Sequence, residues 1–580
     1  MVRFLLITLL FLVLPSAIVK IEKRSQSGTV QNEELLRFSG SLFGPSTLVF
    51  DPAMNMHDIQ AVIDSIHSRQ TSRQAEFTKA RYALLFKPGT YRLDLKIGYY
   101  TQVAGLGESP EDVVIEGNIK SLTTRHGNVL TNFWRAVENL TVVPERDSAV
   151  IWGVSQAAPM RRVHIKGNLN LFDKGYASGG FLADSKVDGV ISSGPQQQWF
   201  TRNSETGGWK GGVWNMMFMG VIGAPTSDFP QNPYTTLGSV PVIREKPYLV
   251  YVRNKYFVTI PAIRRNASGT DRTVAEKIIP LKKFYIASPS IDNAGTINSA
   301  LRKGKHILLT PGRYILDESL KIDRDGTVVM GTGFATLVPV KGNAAIEVAG
   351  AGGVILCGIT IDAGRIKSDR LLVTEAGAGG KQRHPGISFL YDIFFRVGGP
   401  DEGSAKSCMV INSDNVVIDH TWIWRADHGN GVGWERNRCA NGLVVNGNNV
   451  TVYGLFNEHF QEYQTLWNGE NGKVFFYQSE MPYDPPSADA WGHDGINGYA
   501  SYKVSDNVKS HQAWGLGIYN VFYDAPVIVD NAIETPAHLE DSIRHKVIFW
   551  LNGNRESVVR SIINGKGGQV DVNNRKAAMK

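Results

Sequence analysis

Cysteine is almost missing from this chain. Three occur among 580 residues, Cys357, Cys408 and Cys439. That excludes a disulfide-stapled scaffold and allows at most one bridge, for which Cys408 and Cys439 are the candidates. No CxxC or His/Cys spacing suits zinc, and no dense aspartate cluster suits calcium. No phosphate-binding glycine loop is present. Gly-x-Ser-x-Gly is also lacking, which removes the usual strand–turn–helix setting of a serine nucleophile. Charge of one sign is not concentrated anywhere: the net +7 is spread along the chain, without a Lys/Arg block. Such a surface is solvated rather than built for nucleic acid. Apart from Phe4 to Leu14 there is no long apolar run, and that one is too short to span a bilayer. These absences set the first expectations: no metal, no cofactor, no nucleic acid and no membrane.

What is present begins with Met1-Val2-Arg3, the apolar run, and Pro15-Ser16-Ala17. A basic start, a short apolar core and small residues near a cut make a secretory signal peptide, placed at 1–19, so an extracellular protein is expected. Lys23-Arg24 is either a dibasic processing site or an ordinary charged pair. Asn139, Asn266 and Asn449 each begin an N-glycosylation triplet. At 580 residues two large domains are expected, and 60 glycines suit a turn-rich β protein.

An internal repeat fixes where the domains start. Leu84-Leu85-Phe86-Lys87-Pro88-Gly89-Thr90-Tyr91 is answered by Ile307-Leu308-Leu309-Thr310-Pro311-Gly312-Arg313-Tyr314. Each copy follows an amphipathic helical stretch, with Ile59, Val62 and Ile63 in the first and Ile297, Ala300 and Leu301 in the second. A helix that covers the open end of a stack of strands spares its unpaired backbone from solvent. Short β-branched runs separated by Gly, Asn and Asp follow each start, as in Leu443-Val444-Val445-Asn446-Gly447. The expected fold is all-β: two tandem right-handed parallel β-helices, at 25–285 and 286–575, each with a short N-terminal capping helix. Pro247 to Ile263 alternates Tyr, Val, Phe and Ile around Arg253-Asn254-Lys255 and reads as a linking hairpin.

The chemistry is expected at Glu458 and Glu480. They are 22 residues apart (480 − 458), close to one coil of a parallel β-helix, so both carboxyls can face one cleft. Glu480 lies among Tyr477, Met481, Pro482 and Tyr483. Partial burial raises a carboxyl pKa and suits a general acid, whereas a loop position would make it an ordinary surface glutamate. A charged Glu458 would help keep Glu480 protonated, or would simply bond a coil corner. Asp184 and Asp188 are either proton acceptors or turn-capping carboxylates. Of the crowded tryptophans of the second half, Trp467 and Trp514 are expected to stack on sugar rings, the others being core.

The ordered motifs resemble glycoside hydrolase family 55, exo-β-1,3-glucanases of the pectate-lyase-like superfamily. They are Glu458-His459 with Tyr463-Gln464, then Gln478-Ser479-Glu480-Met481-Pro482-Tyr483, with Trp422-x-Trp424-x-Ala426-Asp427-His428 and Gly515-x-Gly517-x-Tyr519 on either side. First-half segments around Gln156, Ser178-Gly179-Gly180 and Gln197-Gln198-Trp199 follow in the same order. The resemblance implies that Glu480 is the general acid and that Gln156 and Ser178 hold the attacking water. It implies substrate contacts at Tyr483, Gln198, Asp427 and His428, and an inverting hydrolysis of laminarin-like glucan. Neither start carries the family's Gly-Asp-Gly-x-x-Asp-Asp segment, and Leu455-Phe456-Asn457 replaces the small residues usual before Glu-His. The expected partner is a polysaccharide, met by a monomer. Two rivals stand beside this reading: a polysaccharide lyase on the same fold, and a glycan-binding protein without activity.

Overall fold

The computed structural model describes residue 38 and residues 42–123, 127–146, 148–270, 275–376 and 386–580. The signal-peptide segment and Lys23-Arg24 lie outside them. The fold is predominantly β. From Thr47–Phe50 to Tyr234–Leu237 successive strands pair in parallel, through Tyr82–Phe86, Thr101–Gly105, Arg135–Val143 and Pro159–Ile165. From Phe284–Ala287 onward the chain feeds two further parallel sheets. One carries Val416–Arg425, Thr451–Glu458, Gly472–Glu480 and His511–Phe522 in register. The other carries Asn441–Val445, Thr465–Trp467 and Tyr502–Val504.

Side chains of one parity stack inward. Leu84, Val103, Val137, Met160 and Leu182 form one buried row of the first half. Leu356, Leu390, Ile418, Val452 and Val474 form its counterpart in the second. The other parity faces across. Phe181, Phe200 and Met217 of the first half share a core with Tyr391, Trp422, Phe456 and Phe476 of the second. The two halves are therefore welded by an apolar seam, with polar groups set into it.

The sequence repeat has a physical basis. Gly89 and Gly312 adopt φ of +143° and +151°, and a Cβ on either would come within 2.6 and 2.3 Å of Pro52 and Pro289. Only glycine fits there. Tyr91 and Tyr314 each donate a hydroxyl to two carbonyls, Phe50 and Lys87 in one copy, Ala287 and Thr310 in the other. Helix α1 (Met56–Gln70) precedes the first copy, capped by Asn55 and burying Ile59, Val62, Ile63 and Ile66. Helix α2 (Ala294–Arg302) precedes the second, capped by Asn293 and burying Ile297, Ala300 and Leu301.

The linking hairpin forms as Tyr248–Val252 and Lys255–Pro261, with Arg253 and Asn254 at positive φ in the turn. A third strand, Ala275–Pro280, joins it antiparallel; its charged run Ala275-Glu276-Lys277 gives no strand signal. Cys408 and Cys439 lie with sulfurs 3.9 Å apart as free thiols, so the single bridge considered above is not formed. Asn139 is buried and bonded to Gly105, Gly107 and Arg162, which rules it out as a glycan acceptor in the folded chain. Asn449 is engaged in an asparagine ladder with Asn415 and Asn471. Asn266 is exposed.

Candidate active site

Alternation along three neighbouring strands builds the site. Trp422 and Trp424, Phe456 and Glu458, and Gln478 and Glu480 all point to the face opposed by the first half. In register, Trp424 lies beside Glu458 and Phe456 beside Gln478. His459 N donates to the Glu480 carbonyl at 2.8 Å, which locks the one-strand step between the two glutamates. Arg425 then clamps Asp484 with two 2.8 Å bonds, fixing the turn that follows Glu480.

Trp422, Trp424, Glu458, His459 and Glu480 line a cavity of about 280 Å³, faced from the first half by Leu130, Thr131, Phe133, Gln156, Ser178 and Gln197. Glu458 is buried and accepts from Trp422 Nε1 at 2.7 Å and from Gln156 Nε2 at 3.0 Å. Ser178 Oγ donates to Gln156 Oε1 at 2.9 Å. Ser178, Gln156 and Glu458 thus form one directed chain of hydrogen bonds across the seam. Glu480 opens onto the same cavity and accepts from the Tyr483 hydroxyl.

Burial raises both glutamate pKa values, and Glu458 is raised further by the charge of Glu480. Two buried carboxyls that repel one another are harder to ionise together than singly. Trp422 Nε1 can only donate, and the Gln156 amide turns its NH₂ toward Glu458, so Glu458 is suited to the charged form.

Asp427 and His428 form the far wall. His428 bonds Asp427 at 3.0 Å and Glu76 at 2.6 Å. Burial alone would lower the imidazole, but these two carboxylates outweigh it and raise its pKa to about 10. Burial alone would raise Asp427, yet the bond to His428 and the charges of His459 and His428 hold it below the usual carboxylate range. Trp424 Nε1 also donates to Asp427 at 3.2 Å. Among the described residues, no group of three or more His, Cys, Asp or Glu side chains is arranged to hold a metal ion.

Most of the expected site residues meet here: Glu480, Glu458, Gln156, Ser178, Tyr483, Asp427 and His428. Three do not line the cavity. Trp467 packs into the second-half core, its Nε1 bonded to Gly469, away from the cavity that Trp422 and Trp424 line. Trp514 stacks on Phe475, five residues along the strand before Tyr519, the partner of Glu480. Gln198 is buried behind Ser178 and bonds its carbonyl; Gln197 faces the cavity instead. The aromatic wall is Trp422, Trp424 and Phe133, with Phe133 4.5 Å from Trp422. Period-two spacing one strand step before Glu458 was the signal for that wall. No local signal marked Glu76, which lies 352 residues from His428. Asp184, considered above as a proton acceptor, is bound by two bonds to Arg202. Asp188 bonds His164.

A LAM55 pectate lyase-like domain model matches residues 284–480. An exo-β-1,3-glucanase of Streptomyces sp. (strain SirexAA-E / ActE) is 47% identical over 497 residues, 84% of this chain and 81% of that one. The solved structure of sacteLam55A from Streptomyces sp. SirexAA-E superposes with a TM-score of 0.88 at 42% identity, covering 93% of this chain and 98% of that one. A glutamate-to-alanine variant of the same protein in complex with glucose matches equally well, with a TM-score of 0.88.

Proposed function

The chain belongs to the LAM55 pectate lyase-like family, and from that premise we propose that it is an inverting exo-β-1,3-glucanase. The observation that carries the reading is the placing of Glu480 and Glu458 on adjoining strands of one cavity, opposite the Ser178–Gln156 pair. Glu480 gives its proton to the glycosidic oxygen as the C1–O bond breaks. Water attacks C1 from the opposite face. Ser178 spends its hydrogen on Gln156 and so offers lone pairs to that water. As the water deprotonates, its proton passes to Ser178, that of Ser178 to Gln156, and that of Gln156 Nε2 to Glu458. The amide passes through its imidic tautomer, and the pair ends as charged Glu480 and protonated Glu458. No net proton is gained or lost; return of Gln156 from its imidic to its amide form, and one proton transfer from Glu458 to Glu480, reset the site. Trp422, Trp424 and Phe133 give the sugar an apolar wall. Asp427 and the cationic His428 bond its hydroxyls.

The same proposal includes two tandem right-handed parallel β-helices at 25–285 and 286–575, capped by α1 and α2. It includes a monomer secreted by the 1–19 signal peptide. The rows of parallel pairings on either side of the linking sheet, and the twin Pro-Gly-Tyr starts, support the twin-helix reading. Incubation with a glycan panel containing laminarin, and identification of the released sugar, tests the activity. Glucose as the sole early product supports it. A ladder of oligosaccharides would mean internal cleavage, and an unsaturated product a lyase.

A further inference from the structure

Directly beneath Gln156 lies a group of buried charges that the proposed chemistry does not use. Arg161 bonds Asp392 at 2.8 Å and Asp419 at 2.7 Å. Arg202 bonds Asp419 at 2.8 Å and Asp184 at 2.9 Å. Lys246 bonds Glu138 at 2.7 Å and Asp392 at 2.9 Å. Three cations thus face four carboxylates: Glu138, Asp184, Asp392 and Asp419. His420 sits at the edge of the group, fully buried, its ring stacked on Phe181 at 4.5 Å and edged by Phe394 and Phe456. Its Nδ1 is 2.8 Å from Asp392 Oδ1 and its Nε2 is 3.2 Å from the Gln156 carbonyl oxygen.

Both partners are acceptors, so both ring nitrogens must carry hydrogen to make both bonds. A singly charged imidazolium also brings the group to four charges of each sign. Burial, together with the Arg161 charge, holds the ring's pKa below its usual value, and the Asp392 hydrogen bond and charge oppose that. Gln156 needs such an anchor, because its φ is +34°, a conformation that a side-chain-bearing residue adopts only when its surroundings enforce it. The Ala158 amide bonds the same carbonyl at 2.7 Å. We infer that His420 is a positioning residue for the reaction: by tying the Gln156 carbonyl to the Arg161–Asp392 group, it aims the Gln156 amide between Ser178 and Glu458. The inference rests on the water-holding role proposed above for Gln156.

The test compares His420→Phe, which fills the aromatic slot without donors, with His420→Gln, which keeps one. Turnover is measured per folded molecule, on laminarin and on an aryl β-glucoside, well below each variant's thermal midpoint. His420→Phe should lower kcat by about 10²-fold on both substrates with little change in KM, the size expected for a misplaced catalytic group. His420→Gln should lose less. A merely structural histidine would lower the thermal midpoint and leave turnover per folded molecule unchanged, and that result overturns the inference. So does a loss seen on laminarin but not on the aryl glucoside. If neither variant folds, Phe181→Leu, which removes the stacked ring, should slow both substrates in the same way; wild-type turnover there overturns it too. Gln156→Ala separates the two claims. If it is fully active, the water-holding role falls; if it is inactive while His420→Phe is unaffected, only the His420 role falls.

Discussion

Gln156 and Glu458 are separated by 302 residues and joined by a 3.0 Å hydrogen bond across the seam between the two halves. In the proposed mechanism the water-holding pair and the proton acceptor therefore come from different halves. Glu458→Gln keeps the shape but removes the acceptor, and Ser178→Ala removes the entry to the relay. Each should lower turnover on the order of 10²–10⁴-fold, equally on laminarin and on an aryl β-glucoside, because water attack is needed in both. Steady-state kinetics on the two substrates is the check. A full recovery on the aryl substrate would remove Glu458 from the base side.

Glu480→Gln should behave differently. Without the acid, laminarin turnover should fall on the order of 10²–10⁴-fold. An aryl leaving group departs without protonation, so most of that loss should vanish on the aryl β-glucoside. An equal loss on both substrates would count against Glu480 as the acid.

Much of this was legible from residue order, because a stacked parallel fold converts sequence spacing into position. The 22-residue step between Glu458 and Glu480 became one strand step, and the two Pro-Gly-x-Tyr segments became turns with the same glycine conformation and the same tyrosine bonding pattern. Tryptophan roles were not legible from proximity. Trp467 is closer in sequence to both glutamates than Trp422 is, but it lies on a strand of the other sheet, and its ring fills the core. Side-chain parity, which requires the register, separates wall from core. Contacts across the seam, such as Glu76 with His428 or Arg161 with Asp392, join residues hundreds of positions apart and leave no local pattern.

Asp419 accepts from both Arg161 and Arg202, and all three are buried. Asp419→Asn leaves those guanidinium groups without their shared counter-charge. The cost should be about 3–5 kcal/mol in urea unfolding, as for other broken buried pairs. A change below about 0.5 kcal/mol, the range of an ordinary surface substitution, would mean that solvent or rearrangement replaces the pair.

His428 links stability to pH. Its folded pKa is raised to about 10 from 6.5. A raised value means that the folded chain binds the proton more tightly, so this stabilisation is complete below 6.5 and is lost as pH rises toward 10. His428→Gln should therefore destabilise most near pH 6 and least near pH 10, by thermal midpoints across that range. Glu76→Gln removes one of the two carboxylates that hold the proton, so the decline should end at a lower pH. A midpoint difference between His428→Gln and wild type that is constant from pH 6 to 10 would show that the histidine is not held charged.

Stereochemistry tests the whole arrangement at once. Glu480 lines one side of the cavity, and Ser178 and Gln156, the pair proposed to hold the water, line it from the opposing half. Glu458, the other carboxyl, accepts a hydrogen bond at each oxygen, from Trp422 and from Gln156, and in the proposed mechanism serves the relay rather than standing as a free carboxylate. A double displacement through a glycosyl-enzyme needs such a free carboxylate; a single displacement needs only the water. A β-linked glucan should then release glucose first as the α-anomer, and the β signal should grow only as mutarotation proceeds. Proton NMR within the first turnovers resolves the two anomeric signals. Initial β-glucose would mean that a carboxylate attacks in place of water, and the relay from Ser178 to Glu458 would have no step to serve.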